Sequence, residues 1–246
     1  MENVVLATSS DGTIVYQKLT LRYLKQASLV TRQTLFKTGT VCRTLGVPQD
    51  PDALSELDQL PLEAAKDGIS IIAVDKTTDK VAGVAINKLL VKSQPFFQNF
   101  LHIFKNFKSR QIIEFILSTD NICDIFEHCG VDCVMEILFL GTSEEYRKKG
   151  IAKKLCELSV EVAQKLRDGV DVKEAVDGGE LGLGPVPEAV YAMFTSFISQ
   201  KIGRELGFEI AARRSMKRLE IMGEVVESSQ VETPVTTVEY KLLHKS

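Results

Sequence analysis

The chain has 246 residues, 44% of them hydrophobic and 26% charged, with a net charge of −3 at neutral pH. This is the composition of a soluble globular protein with material for a substantial core, and the charge excludes a general nucleic-acid binder. No apolar run approaches a membrane span, Met1 to Asp11 has neither the basic start nor the apolar stretch of a signal peptide, and five cysteines, an odd number, read as free thiols in a reducing, cytoplasmic compartment.

Thr13 to Leu19 alternates as a first strand. A helix follows from Thr20 or Ser28, with Leu21, Leu24, Leu29 and Leu35 as an imperfect apolar face. Gly39 to Gly46 interrupts it. Pro48 to Asp52 then reads as a turn and helix start, with Ala53 to Lys66 helical. Ile69 to Val74 and Val81 to Val91 form a hairpin around the polar turn Asp75 to Lys80. Phe96 to Phe107 predicts one amphipathic helix with Phe97, Phe100, Leu101, Phe104 and Phe107 on a single face. Gln111 to Leu117 and Asn121 to His128 predict short helices, so residues 95–130 are a helical insertion.

Val134 to Leu140 is apolar enough for a central strand. Beyond Gly150, the residues Ile151, Leu155, Leu158, Val162 and Leu166 mark the buried face of a long helix. Residues 168–188 are a long loop carrying Gly178-Gly179, Gly182-x-Gly184-Pro185 and the acidic residues Asp168, Asp171, Glu174, Asp177 and Glu180. It reads as a solvated loop, or as one that steers cations towards a site. Its glycines lack the preceding strand and following helix start of a dinucleotide fingerprint. Ala189 to Thr195 is a strand, Ser196 to Leu206 a helix, Phe208 to Met216 a strand, and Thr236 to Leu243 closes the sheet. The whole chain, 1–246, reads as one mixed α/β domain.

The chemistry concentrates between the central strand and the long helix. Leu140, Gly141 and Thr142 end the strand, a polar turn follows, and Arg147, Lys148, Lys149, Gly150, Ile151 and Ala152 open the helix. A helix start offers free N–H groups and the positive end of its dipole, which suits a phosphate. The small Gly150 and Ala152 keep side chains away from such a ligand. An ordinary strand-to-helix connection with a solvated basic face is the competing reading.

Taken with the segment Ala192 to Phe208, which carries Thr195-Ser196-x-x-Ser199 and Leu206-Gly207-Phe208, this pattern resembles the GNAT superfamily of N-acetyltransferases, and within it the insect arylalkylamine N-acetyltransferases. The order of elements fits from about Thr13 to Leu243. The resemblance implies a twisted, mostly antiparallel sheet with a splayed core strand and flanking helices. It implies acetyl-CoA as cosubstrate, pantetheine held by the amides of Leu140 and Thr142, and pyrophosphate on Arg147 to Ala152. It also implies direct acetyl transfer to a small primary amine, an arylalkylamine or polyamine-like molecule.

The insect enzymes carry an Asp-Glu-Pro segment whose glutamate takes the amine proton; the matching stretch here, Phe36 to Val41, has no carboxylate. Glu136 stands on the core strand where histone-acetylating members place their base, and partial desolvation would raise its pKa towards a useful range. A strand-edge glutamate in solvent or a salt bridge is the alternative. Thr195 and Ser199, four apart on one face of a helix start, match hydroxyl positions lining the thioester end, and helix capping by Thr195 or Ser196 is the alternative. Gly203 occupies the position of the tyrosine acid found in many GNAT enzymes. Cys123, His128, Cys129 and Cys133 do not form two close ligand pairs, so no metal is expected. Two rival functions remain: a weak or inactive acyl-CoA-binding paralogue, and a protein-lysine acetyltransferase.

Overall fold

The computed structural model describes residues 4–227 and 232–245. The first three residues of the segment read against a signal peptide lie outside that range. The strands are β1 (Val5–Thr8), β2 (Ile14–Lys18), β3 (Ile71–Asp75), β4 (Lys80–Val91), β5 (Cys133–Thr142), β6 (Ala189–Phe194), β7 (Glu209–Ser215), β8 (Arg218–Ile221), β9 (Glu224–Glu227) and β10 (Val235–Leu242). The helices are α1 (Leu21–Thr31), α2 (Thr40–Thr44), α3 (Pro51–Leu57), α4 (Gln59–Ala65), α5 (Phe97–Ile103), α6 (Phe107–Asp120), α7 (Ile125–Cys129), α8 (Ile151–Arg167) and α9 (Phe197–Glu205).

An eight-stranded sheet runs in the order β1-β2-β3-β4-β5-β6-β10-β7, and β8-β9 form a separate hairpin. Every pairing in the large sheet is antiparallel except β5 with β6. The sheet divides the core in two. On one face α1 and α4 pack on β4, and Phe36, Leu57, Leu60, Ile72, Val84, Phe115 and Tyr191 belong to one apolar cluster. On the other face α8 crosses β3, β4 and β5, burying Leu155, Cys156, Leu158, Val162 and Leu166 as its spacing predicts. Among the described residues no helix is long and apolar enough to cross a membrane.

Three expectations are corrected. The aromatic stretch after Pro95 is two helices, not one. Glu56 accepts from the Lys105 N–H at 2.8 Å and from the Asn106 N–H, and the Asn106 side chain accepts from the Lys108 N–H at 2.8 Å, capping a new helix. Phe97, Phe100 and Phe104 are therefore buried while Phe107 is exposed. The first helix buries Tyr23, Ala27, Val30 and Thr31, whereas Leu21 and Leu29 face solvent. Helix 53–66 breaks into α3 and α4 at Asp58, whose carboxylate is held by Arg32. The edge strand β1 and the short hairpin β8-β9 go unpredicted, although Arg218-Leu219-Glu220-Ile221 alternates.

Past Thr31 the first helix widens into a π-turn over Arg32–Phe36, in which the Lys37 N–H donates to the Arg32 carbonyl at 2.9 Å. The turn lies directly on β5: a Cβ on Gly141 would collide with Thr34 Oγ1. Gly141 is thus required by helix-to-strand contact. We predict that Gly141→Ala destabilises the fold by about 1–3 kcal/mol through overpacking, and that Thr34→Ala in the same chain recovers most of the loss. Denaturant melts of the single and double variants check this; equal stability of Gly141→Ala and the wild type would contradict it.

Candidate active site

β5 and β6 pair only over Val134↔Ala189, Met135↔Val190 and Glu136↔Tyr191. Beyond Glu136, β5 stays with β4 as far as Gly83↔Thr142. β6 goes with β10 as far as Phe194↔Thr237. The two parallel strands therefore open as a fork. A register shift opposite Ile86/Asn87 adds a residue to β5 at Leu138 and strengthens its bend. The Ser143 N–H donates to the Ala82 carbonyl at 2.9 Å. The alternation of an antiparallel ladder then turns the N–H and C=O groups of Leu140 and Thr142 away from β4, towards the open side of the fork. The Thr142 hydroxyl is buried without a partner.

α8 leaves the end of β5 through a tight turn. Gly150 is its N-cap at φ +77°, preceded by Lys148 at φ +63°. No atom lies within 4 Å of a Cβ built on Gly150, so the backbone angle, rather than crowding, calls for glycine there. No side chain caps this end, and the first helical bond runs from the Lys154 N–H to the Gly150 carbonyl at 3.0 Å. The N–H groups of Ile151, Ala152 and Lys153 are left for a ligand.

The surrounding charge is partly committed. Lys153 pairs with Glu205 at 2.7 Å, tying α8 to α9, and Lys154 pairs with Glu157 at 2.9 Å. Lys149 lies over the Tyr146 ring. Arg147 and Lys148 are exposed and form no ion pair among the described residues. The turn itself is anchored by Tyr146, whose hydroxyl donates to Asp75 Oδ2 at 2.9 Å. Hydrogen bonds from Thr77, with Tyr146 adding to them, hold the Asp75 carboxyl down at about 2.

Glu136 stands at the apex of the fork. It is 2% exposed, on the same face as Val134 and Tyr191, and its Oε2 has no hydrogen-bond partner. Complete burial replaces the partial desolvation read from the sequence. Burial, reinforced by the nearby Asp120 carboxyl, pushes Glu136 well above the ordinary carboxylate range, and a hydrogen bond from the Tyr191 hydroxyl opposes the shift only in part. Burial pushes Tyr191 up as well, followed by the effect of Glu136. Asp120, the last residue of α6, is itself pushed up to about 7, by burial first and by Asp124 second. Sequence reasoning missed Tyr191 and Asp120, because nothing local to Glu136 reports its partners across the sheet.

At the end of the other prong, Ser196 caps α9 in a reciprocal box. Its Oγ accepts from the Ser199 N–H at 3.1 Å and the Ser199 Oγ accepts from the Ser196 N–H at 3.2 Å. Ser199 is thus engaged in capping, and Thr195 precedes the helix rather than sharing a turn with Ser199. The stretch from Phe36 to Val41 presents an aromatic ring: Phe36 is buried edge-on against Phe139 of β5, centroids 5.4 Å apart. The acidic loop 168–188 follows the C-terminus of α8 and folds back beside it, where Asp171 to Glu174 line a cleft with Leu158, Glu161, Val162 and Lys165. Among the described residues no three of His, Cys, Asp or Glu gather as a metal site.

No family model and no curated protein matches the chain. Solved structures do. The chain is similar to arylalkylamine N-acetyltransferase 2 from Aedes aegypti, with TM-score 0.74, 21% identity, and 94% of this chain and 99% of that one covered. It is similar to mosquito arylalkylamine N-acetyltransferase like 5b, with TM-score 0.76, 18% identity, and 94% and 100% covered. A Drosophila melanogaster polyamine N-acetyltransferase that forms N-acetylagmatine gives TM-score 0.73 at 14% identity, over 94% and 100%. The likeness at these identities is one of fold: the chain has the GNAT fold to which the sequence motifs pointed.

The burial of Glu136 has a measurable signature. The folded state keeps on this carboxyl a proton that the unfolded chain releases near its ordinary value of 4.5. Stability is therefore lost as pH climbs from that value through the raised one. Glu136→Gln should melt with the wild type below about pH 4.5 and above it at higher pH, with a gap that widens as pH rises. Parallel melting temperatures across pH 4–9, measured by calorimetry, would contradict the assignment.

Proposed function

We propose that the protein is an acetyl-CoA-dependent N-acetyltransferase that moves the acetyl group directly from the thioester to a small primary amine. The fork carries this reading. An open strand edge runs from a buried carboxyl to an uncapped helix start beside the unpaired Arg147 and Lys148. Acetyl-CoA has complementary parts in the same order: a thioester, amides along pantetheine, and a pyrophosphate. The amides would complete the ladder at Leu140 and Thr142, and Gly141 lets the strand lie close under α1. The pyrophosphate would rest on the N–H groups of Ile151, Ala152 and Lys153, with Arg147, Lys148 and Lys149 supplying charge. The amine class draws on the names of the structural neighbours, which are arylalkylamine and polyamine N-acetyltransferases.

Attack needs a neutral amine, so a base must take its proton before the C–N bond forms and the C–S bond breaks. Glu136 fits that task in its ionised form, through its place at the apex and its free Oε2; because burial favours its protonated form, turnover should climb with pH as the carboxyl ionises. The Tyr191 hydroxyl orients the carboxyl. Thr195 would meet the thioester end, with Ser199 holding the helix start in place. Free thiols at all five cysteines agree with a reducing, cytoplasmic setting. One observation favours a second reading, acyl-CoA binding with little turnover: Phe36 puts an aromatic ring in the stretch where the insect enzymes carry a glutamate.

Thiol release from acetyl-CoA over a panel of arylalkylamines, polyamines and lysine peptides tests the proposal. Release with the small amines is expected. Binding without release would establish the second reading, and release with peptides alone would make the substrate a protein lysine.

Two variants divide the roles. Gly150→Asp should weaken acetyl-CoA binding tenfold or more, about 1.4 kcal/mol. Gly150→Asn, which tolerates positive φ without the charge, should weaken it much less; calorimetry showing no difference would remove the pyrophosphate from this helix start. Glu136→Gln should keep cofactor affinity and lose roughly 10²–10⁴-fold in kcat. Wild-type turnover at neutral pH would make Glu136 structural.

A further inference from the structure

Away from the fork, a cleft of about 290 Å³ lies between the β1–β2 edge, the outer side of α8 and residues 171–174 of the long loop. Leu6, Leu158, Val162 and Val172 give it apolar walls, and Lys18 and Glu174 belong to its lining. Lys18 is 1% exposed, and neither its Nζ nor the Glu174 Oε2 has a hydrogen-bond partner. The two groups are not an ion pair: no Lys18–Glu174 contact falls within 4 Å among the described residues. Opposite charges therefore line one cleft without meeting.

Burial pulls the Lys18 ammonium down to about 8, with Glu174 acting in the opposite direction, so it still carries its proton at neutral pH. A buried cation and a buried carboxylate oxygen, each without a partner, are costly unless something supplies the missing hydrogen bonds. Charge balance narrows what that is. A simple anion would be repelled by Glu174, Glu161 and Asp171, and a simple cation by Lys18 and Lys165, all of which line the cleft. Lys173 is already committed, donating to the Gly184 carbonyl at 2.6 Å.

We propose that this cleft binds a small zwitterion, an α-amino acid with a short aliphatic side chain, with its carboxylate on Lys18, its ammonium on Glu174 and its side chain against Leu158 and Val162. The loop wall is anchored on the body of the fold. The Glu174 N–H donates to the Gly68 carbonyl at 2.9 Å and the Val176 carbonyl accepts from the Leu21 N–H at 2.8 Å, so residue 174 is held against the body of the fold. This site is independent of acetyl transfer.

Calorimetry and thermal melts with L-valine, inorganic phosphate and n-butylamine test it on the full chain. L-Valine should bind and raise the melting temperature with the logarithm of its concentration above Kd, while phosphate and butylamine do neither. Lys18→Met and Glu174→Gln should each weaken L-valine binding about tenfold or more, the scale of a lost charged hydrogen bond. Lys18→Met, which removes the uncompensated charge and keeps the stem, should also melt higher than the wild type without ligand. Gly150→Asp should bind L-valine unchanged. Failure of L-valine to bind at about 20 mM, far above a useful affinity, would overturn the proposal. So would retention of binding in both cleft variants, or equal binding of phosphate, which would make the cleft an anion site.

Discussion

The structure turns on where β5 and β6 stop pairing. Each strand is secured along its other edge, β5 by β4 and β6 by β10, so neither is free to follow its neighbour past Glu136 and Tyr191. The bulge at Leu138 bends β5 away, and two backbone edges are left facing one gap. Main-chain groups in such a place need partners from outside the sheet. The helices inherit the divergence, since α8 continues from one prong and α9 from the other. A ligand with its own amides is the natural complement of that opening.

The same point in the sheet governs the electrostatics. Glu136 is the last residue of β5 paired with β6, so it is packed as tightly as a core residue and yet adjoins the gap. Its free oxygen, the Tyr191 hydroxyl and the Asp120 carboxyl form an acidic cluster whose members resist ionising together. At the far end the logic reverses. Backbone dipoles and unpaired basic side chains gather around Gly150, and Tyr146 fastens the turn to the β3–β4 hairpin. A basic and an acidic end, joined by an uncharged strand edge, give the fork a direction.

Much of this was legible in the sequence because its signals are local. The i, i+3, i+4 spacing from Ile151 to Leu166 set the buried face of α8, and the Asp75 to Lys80 turn set the hairpin. The glycine after the basic stretch that follows Tyr146 marked the start of α8. What stayed hidden depends on contacts far apart along the chain. The partners of Glu136 come from β6 and α6. The break between α5 and α6 depends on Glu56, whose spacing from Asn106 no periodicity reveals. Thr195 and Ser199 look alike on paper, but the capping box engages one and leaves the other outside the helix. Gly150 was read as keeping side chains away from a ligand, and its positive φ adds a backbone reason for glycine there, whereas Gly141 makes room for Thr34.

The π-turn that ends the first helix is a helix holding one residue too many, and its effect is one of phase. Each extra residue rotates everything after it by roughly 100° about the axis. Phe36, the last residue of that turn, meets Phe139 of β5. Losing a single residue from Arg32 to Phe36 would restore a regular helix and carry the aromatic ring off the strand, bringing a neighbouring position round in its place. The side chain offered to the fork from this helix is thus chosen by length as much as by identity. Deleting one codon between Arg32 and Leu35 would bring Lys37 to the place of Phe36, exchanging an apolar side chain for a charged one with no substitution at all, whereas an insertion would bring Leu35.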